Sequence, residues 1–479
     1  MMKYPGLLDE DVSRIGVQES QMLNLISGKL VTDLVKTSLG PKGMSKIYID
    51  ILDEDTLTKH GGAFLRKVDV DHPAAKSVIE AVNTVDTHVG DGTVSSAILI
   101  GSLLDNAKDL LNMKIPVTVI IKGYERSLDY ALDVLDDVKI NSNNSDQEIM
   151  KQLLITCLDG KVLFDLYESQ EKIINLIIEA ISSIADFKNN YISIDDIKIE
   201  EKIGNISETQ LIRGTILDKT IDSSAMPRAI NNPKILLINE SLETMQTKSE
   251  SVIEINSPKQ MSQFLTQENT DLEILVKKIV DANVNVVISR KGINEFVQEA
   301  LAQKGIITIR RVKYNDLWWL EKATGAKTCK DIQNISADEI GHAKKIYEKT
   351  IGGDKMIFVE GVNPKSVTLL LRANSKKYLD ELHRDALNGF KVLRNFIENP
   401  FIVFGAGSIE GIIAEKIRNH ASTIENKEQI VLERFANSVE EIPLTLARNI
   451  GMDVIDTKTQ LRAKFANSTN KIKWYGVDY

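Results

Sequence analysis

The chain has 479 residues, carries 59 Lys and Arg against 68 Asp and Glu for a net charge of −9, and is 43% hydrophobic. That length corresponds to about three ordinary domains of ~150 residues, and the composition is globular, which excludes a stapled miniprotein, a collagen and a disordered chain. The acidic balance repels duplex nucleic acid and anionic membranes, so neither is an expected partner. Cys157 and Cys329 are the two cysteines. They lie far apart outside any CxxC pattern, which leaves no disulfide framework or zinc spacing and fits a reducing compartment. No apolar run approaches the ~18 residues of a membrane span, and Asp9, Glu10 and Asp11 stand where a signal peptide is apolar, so a cytoplasmic address is expected.

From Glu19 to Thr37 the positions Met22, Leu23, Ile26, Leu30, Val31, Leu34 and Val35 recur every three or four residues and stop at Gly40-Pro41, which predicts an amphipathic helix ending in a turn. Ile47 to Ile51 and Thr56 to Thr58 read as a hairpin with an acidic tip at Asp53, Glu54 and Asp55. Helical patterns follow at Pro73 to Val85, Val94 to Leu111 and Val117 to Val138. The polar stretch Lys139 to Asp146 reads as a boundary, with helices at Glu148 to Leu158 and Ser169 to Ala185 beyond it. From Tyr191 the period changes. Tyr191 to Ile199, Leu211 to Leu217, Lys234 to Asn239, Val284 to Ser289, Gly305 to Val312 and Met356 to Glu360 are β-rich runs among helices, an α/β middle region. After Val367 to Leu371, helices return at Tyr378 to Ile397, Ser408 to Ala421 and Lys427 to Asn449. A helical unit that is left and re-entered suits a hinged machine.

Gly40-Pro41-Lys42-Gly43 follows a helix and Gly90-Asp91-Gly92-Thr93 opens one, so each could aim backbone N–H groups at phosphate oxygens. Singly, each is also ordinary helix punctuation. Asp91 could hold Mg²⁺, which favours one or two carboxylates together with phosphate oxygens and water. No nucleophile triad, GxGxxG fingerprint or Walker P-loop is present, which argues against a metabolic α/β enzyme.

Together, Thr37-Ser38-Leu39-Gly40-Pro41-Lys42-Gly43-Met44, His72-Pro73-Ala74-Ala75-Lys76 and Gly90-Asp91-Gly92-Thr93 resemble the group II chaperonins, the archaeal thermosome and the eukaryotic cytosolic chaperonin. The similarity continues through Arg213-Gly214, Leu217-Asp218-Lys219, Met226-Pro227-Arg228, Lys291-Gly292-Ile293, Arg310-Arg311-Val312, Ala323-Thr324-Gly325-Ala326, Arg394-Asn395, Ile442-Pro443 and Lys473-Trp474. The resemblance implies a multidomain fold combining α+β and α/β parts. A helical equatorial ATPase domain would be built from 1–140 and 396–479, and a small intermediate hinge domain from 141–204 and 362–395. An α/β apical domain would span 205–361, with a helical lid at 244–278. It further implies ATP and Mg²⁺ as cofactors, and as partners unfolded polypeptide and other chaperonin subunits in a homo- or hetero-oligomeric ring. By the same resemblance, nucleotide contacts fall on Leu39, Gly40, Pro41, Gly92, Thr93, Val94, Ser95 and Gly407, the metal on Asp91, and the sensor of the terminal phosphate on Lys161. For the client the candidates are Arg290, Asn294, Phe296 and Gln298. Ile293, Phe296, Val297, Ala300 and Leu301 share a helical face there, and such regular spacing by itself argues for core, leaving the polar flank of Asn294, Gln298 and Gln303 toward a client.

Departures from the family pattern fall on the chemistry. Where the family reads Asn-Asp-Gly this chain reads Lys59-His60-Gly61, and ungapped matching from Asp380-Glu381 to Arg394-Asn395 puts Asn388 at the second acid. Both carboxylates that would orient the attacking water are thus replaced, and loss of such a group typically costs ~10²- to 10⁴-fold in rate. The expectation is a subunit that binds nucleotide and hydrolyses it poorly. The alternative is an active folding subunit in which Asp385, one helical turn from Asn388, or His60 compensates, and His60 paired with His88 is a further metal reading. Gly405-Ala406-Gly407 stands for a three-glycine turn, and Ala373-Asn374 for a flexible Gly-Gly at the hinge, which predicts stiffer rotation. The chain stops at Tyr479, short of where subunits of that family normally end. A ribose-contacting acid, a last helix and the strand that pairs with a neighbour's hairpin are therefore expected to be missing.

Overall fold

The computed structural model describes residues 16–50, 55–161, 167–243, 258–362, 364–466 and 473–478. In chain order, α1 (Val17–Lys36) leads into β1 (Lys46–Ile49) and β2 (Asp55–Thr58), followed by α2 (Gly61–Lys67), α3 (Pro73–His88), α4 (Thr93–Asn112) and α5 (Val117–Val138). Next come β3 (Ile140–Asn141), α6 (Gln147–Leu158) and α7 (Tyr167–Ile184). The strand-rich part holds β4 (Ile197–Ile203), β5 (Gln210–Ile212), β6 (Gly214–Leu217), β7 (Ala229–Asn231), β8 (Lys234–Ile238), α8 (Pro258–Asp281), β9 (Val286–Ser289), α9 (Glu295–Gln303), β10 (Ile307–Ile309) and α10 (Tyr314–Thr324). It closes with β11 (Ile340–Ile351), β12 (Asp354–Gly361) and β13 (Val367–Ala373). The chain ends through α11 (Lys376–Glu398), β14 (Phe401–Ile402), α12 (Ser408–Ala421), α13 (Glu428–Asn449) and α14 (Val454–Ala466).

Met1–Gln170 with Arg384–Tyr479 forms one compact unit and Glu171–His383 a second, so the chain leaves the first within α7 and returns within α11. The first unit is a helical bundle with small sheets at its margins. Val31 and Val35 of α1 pack with Leu65, Ala75, Val82 and Ala97, whereas Leu23, Ile26, Leu30 and Leu34 of the same expected stripe are exposed, so the buried face is narrower than the spacing predicts. Two glycines set how closely α1 and α4 approach. A Cβ on Gly28 would lie 2.7 Å from Leu104 Cδ1, and one on Gly101 2.0 Å from Thr32 Oγ1, so neither tolerates a side chain. β1 and β2 pair antiparallel, with Lys46 opposite Thr58. The expected acidic tip lies partly outside the described residues. β3, inside the polar stretch 139–146, pairs antiparallel with β14, so that stretch is tied into the first unit.

In the second unit a seven-stranded sheet runs in the order β10-β9-β8-β11-β12-β6, with β7 also on β11. β8, β9 and β10 are parallel, and the rest pair antiparallel. Along β8, Ile235 and Leu237 join one core while Leu236 and Ile238 join another, so this sheet is covered on both faces and the strand reads as a continuous apolar run. The sequence reading missed β11, the twelve-residue strand that joins the two parts of the sheet. Lys344, Lys345 and Lys349 interrupt its apolar alternation, and its register shifts between Ala343 and Lys345. A separate sheet, β4-β13-β5, combines a parallel and an antiparallel pair. Of the expected lid at 244–278, residues 244–257 lie outside the described residues and the remainder falls within α8.

Candidate functional site

Four segments of the first unit meet around one cleft, lined by Ser38, Leu39, Gly40, Pro41, Lys59, His60, Asp91 through Ser95, Thr156, Cys157, Asp159 and Lys161. The first wall is the turn after α1, closed by Met44 N–H donating to Thr37 O at 2.8 Å and by Gly43 N–H donating to Gly40 O at 3.0 Å. Gly40 has φ +81°, a left-handed conformation that a side chain would strain. Asn449, at the end of α13, holds this turn from behind, its Nδ2 donating to Leu39 O at 2.9 Å and Lys36 O at 3.2 Å.

The second wall is the N-terminus of α4. Gly92 caps the helix at φ +80° with no side-chain cap, so the first-turn N–H groups of Thr93, Val94 and Ser95 lack an intrahelical acceptor and face the cleft lining. Asp91 sits just before them. Burial above all, with the Asp91 charge second, pushes the Cys157 thiol well above the usual range. One carboxylate beside a helix N-terminus fits Mg²⁺ bound to a polyphosphate, which takes one or two carboxylates and fills its remaining positions with phosphate oxygens and water.

At the cleft's inner end four polar side chains close on one another. His60 Nε2 lies 2.7 Å from Asp385 Oδ1, and His60 Nδ1 lies 2.9 Å from Asn388 Nδ2. The tautomer protonated on Nε2 satisfies both contacts, donating to the carboxylate and accepting from the amide. Lys161 Nζ lies 3.1 and 3.2 Å from the two ring nitrogens and 3.6 Å from Asp385 Oδ1. Asp385 is completely buried. His60 and Lys161 line the cleft, whereas Asp385 and Asn388 do not.

Of the residues expected to contact nucleotide, Leu39, Gly40, Pro41, Gly92, Thr93, Val94, Ser95 and Lys161 all line this cleft, as does Asp91. Gly407 does not. It caps α12 at φ +77°, where a Cβ would lie 2.3 Å from Pro443 Cβ. The possible substitute acid, Asp385, shares the cluster with Asn388, but as the partner of His60 and away from the lining. His88 lines a different groove, with Arg66, Lys76 and Asn83, so the reading of His60 and His88 as a metal pair is not realised. Sequence reasoning missed Ser38, Lys59, Thr156, Cys157 and Asp159 as lining residues and Asn449 as a support. The only signals were that they adjoin residues already singled out or share a motif with them.

In the second unit, Ile293, Val297 and Leu301 are buried, as their spacing argued, while Phe296 and Arg290 are exposed. Asn294 caps α9, accepting from Phe296 N–H at 2.9 Å. Gln298 corrects the expectation of a polar flank: it is only 6% exposed, because it lies on the turn that α9 packs inward beside Val297.

Comparison with known proteins bears on the whole chain. Residues 31–479 match the model of the TCP-1/cpn60 chaperonin family. The chain is similar to the thermosome subunit beta of Archaeoglobus fulgidus, 36% identical over 98% of this chain and 86% of that protein. It is also similar to the thermosome subunit alpha of Sulfurisphaera tokodaii, 37% identical over 96% and 84%, and to the thermosome subunit of Pyrococcus horikoshii, 36% identical over 95% and 83%.

Proposed function

The chain belongs to the TCP-1/cpn60 chaperonin family, and from that premise we propose that this thermosome-type subunit binds ATP with Mg²⁺ in the cleft of the first unit but hydrolyses it poorly. Phosphoryl transfer needs phosphate-cradling backbone, a metal carboxylate and a group that orients and deprotonates water. The turn at Leu39 to Pro41, the start of α4 and Asp91 supply the first two. In this reading Lys161 meets the terminal phosphate, and Asp91 would hold Mg²⁺, which when bound would supply neutralisation of phosphate charge. The observation that carries the reading is the closed cluster at the third position. His60 spends Nε2 on Asp385 and Nδ1 on Asn388, and Asp385 and Asn388 do not line the cleft, so none of these three positions presents a carboxylate to it.

A second reading rests on the same 2.7 Å contact, because a histidine oriented by a buried carboxylate is the arrangement of a general base. Against it, the nitrogen that would take the proton already accepts from the Asn388 amide. Steady-state phosphate release from purified protein, with nucleotide binding measured alongside, separates the two. Turnover at ordinary chaperonin rates would defeat the poor-hydrolase reading.

The remaining assignments follow from the family. The first unit supplies the nucleotide-binding equatorial part, and the second supplies the apical part, with Phe296 and Arg290 as its candidate client contacts. The intermediate segments are 141–204 and 362–395. We propose unfolded polypeptide as client, other chaperonin subunits as ring partners and the cytoplasm as the location. No helix among the described residues is long and apolar enough to cross a membrane.

A further inference from the structure

Lys59 follows the last residue of β2 and is 7% exposed, an unusual place for an ammonium group. Burying a charge is costly unless strong hydrogen bonds replace its water. Two such bonds are present: Lys59 Nζ donates to Pro41 O at 2.9 Å and to Gly160 O at 2.7 Å. These carbonyls belong to the turn after α1 and the turn after α6, which provide two walls of the cleft, so one side chain ties together segments that are 119 residues apart (160 − 41). The turns also touch directly. Gly160, at φ +65°, approaches so closely that a Cβ there would lie 2.3 Å from Pro41 O and 2.9 Å from Lys59 Nζ.

We infer that Lys59 is a positioning residue for polyphosphate binding, a clamp that holds the Gly40-Pro41 turn and the Asp159-Gly160-Lys161 turn at a set separation. The inference rests on the cleft being the nucleotide site. Lys161 follows Gly160 directly, so the clamp also sets where the Lys161 ammonium stands relative to Gly40. Removing the Lys59 ammonium leaves two carbonyls without their donor and frees the two turns to part. Because the clamp acts on the walls of the cleft, its loss weakens every nucleotide that uses them, whether or not a terminal phosphate is present.

The test compares Lys59→Met with Lys161→Met in the full chain, measuring the dissociation constants of ADP and ATP with Mg²⁺ and backbone hydrogen exchange of the nucleotide-free protein. Lys59→Met is expected to weaken ADP and ATP together, by about tenfold or more, and to speed exchange in 38–44 and 159–161 while exchange in α12 and α13 is unchanged. Lys161→Met is expected to weaken ATP more than ADP. Unchanged nucleotide affinity with unchanged exchange in both turns would overturn the inference, as would faster exchange throughout the first unit, which marks a merely structural lysine. If wild-type protein binds neither nucleotide, the reading of the cleft fails, and local exchange in the two turns still decides whether Lys59 clamps them.

Discussion

Placing acids at positions 60 and 388 gives the sharpest test of the proposal that hydrolysis is slow, and the charges around Lys161 determine how it must be done. At present Asp385 faces the Lys161 ammonium at 3.6 Å, and His60 contacts both Asp385 and Asn388. Changing His60→Asp and Asn388→Asp alone crowds two more carboxylates beside Asp385, and like charges at such distances favour sharing a proton. Adding Asp385→Asn removes one of the three and relieves that repulsion. The triple variant is expected to release phosphate at least ~10²-fold faster than wild type at saturating ATP and Mg²⁺. The double variant should lag behind it at pH 7 and gain on it as pH rises and the shared proton leaves. Steady-state phosphate release, with ATP binding measured in parallel, provides the assay. A triple variant that binds ATP yet stays silent, or a wild type that already matches it, refutes the reasoning.

Two further expectations concern other parts of the molecule. Glu440 is only 7% exposed and accepts from both Arg418 and Arg462, each at 2.5 Å, so Glu440→Gln removes the carboxylate shared by the two guanidinium groups and leaves Arg418 with Glu415 at 3.9 Å. Because the Arg462 side chain is 38% exposed and water can replace part of the lost charge, the change is expected to cost about 1–3 kcal/mol. It should appear as faster hydrogen exchange in α12 and α13, and a cost below about 1 kcal/mol would contradict this account. Cys329 is fully buried, and that burial pushes its thiol up to about 11. At pH 8 the native protein should therefore alkylate at Cys329 roughly 10²-fold more slowly than after unfolding. Because the folded state keeps this proton while the unfolded thiol loses it, the linked stability is intact below about pH 8.5 and declines as pH rises toward 11. Iodoacetamide labelling read by mass spectrometry checks the rate, and equal labelling in both states would sink it.

Elements whose signal is local were legible in the sequence. α5 and α12 run between the very residues expected, Val117–Val138 and Ser408–Ala421, because an apolar stripe repeats every three or four residues until a turn breaks it. The turn at Gly40-Pro41 and the start of α4 were legible too, since left-handed glycines and helix openings depend on a few adjacent residues, and both line the cleft. β11 was not legible. Its lysines blur the alternation, and its identity as a strand comes from partners on both sides.

The chemistry of the cluster was half legible. The expectation that His60 and Asn388 stand where the family pattern has acids came from their positions, and Asp385 could be counted one turn away from Asn388. That Asp385 spends its carboxylate on His60, 325 residues earlier, and that Lys59 joins two turns, belong to the tertiary structure alone. Periodicity and turn chemistry are carried by neighbours along the chain. Which buried polar groups meet is settled only when distant segments pack, since each must then find a partner among whatever the fold has brought within about 3 Å.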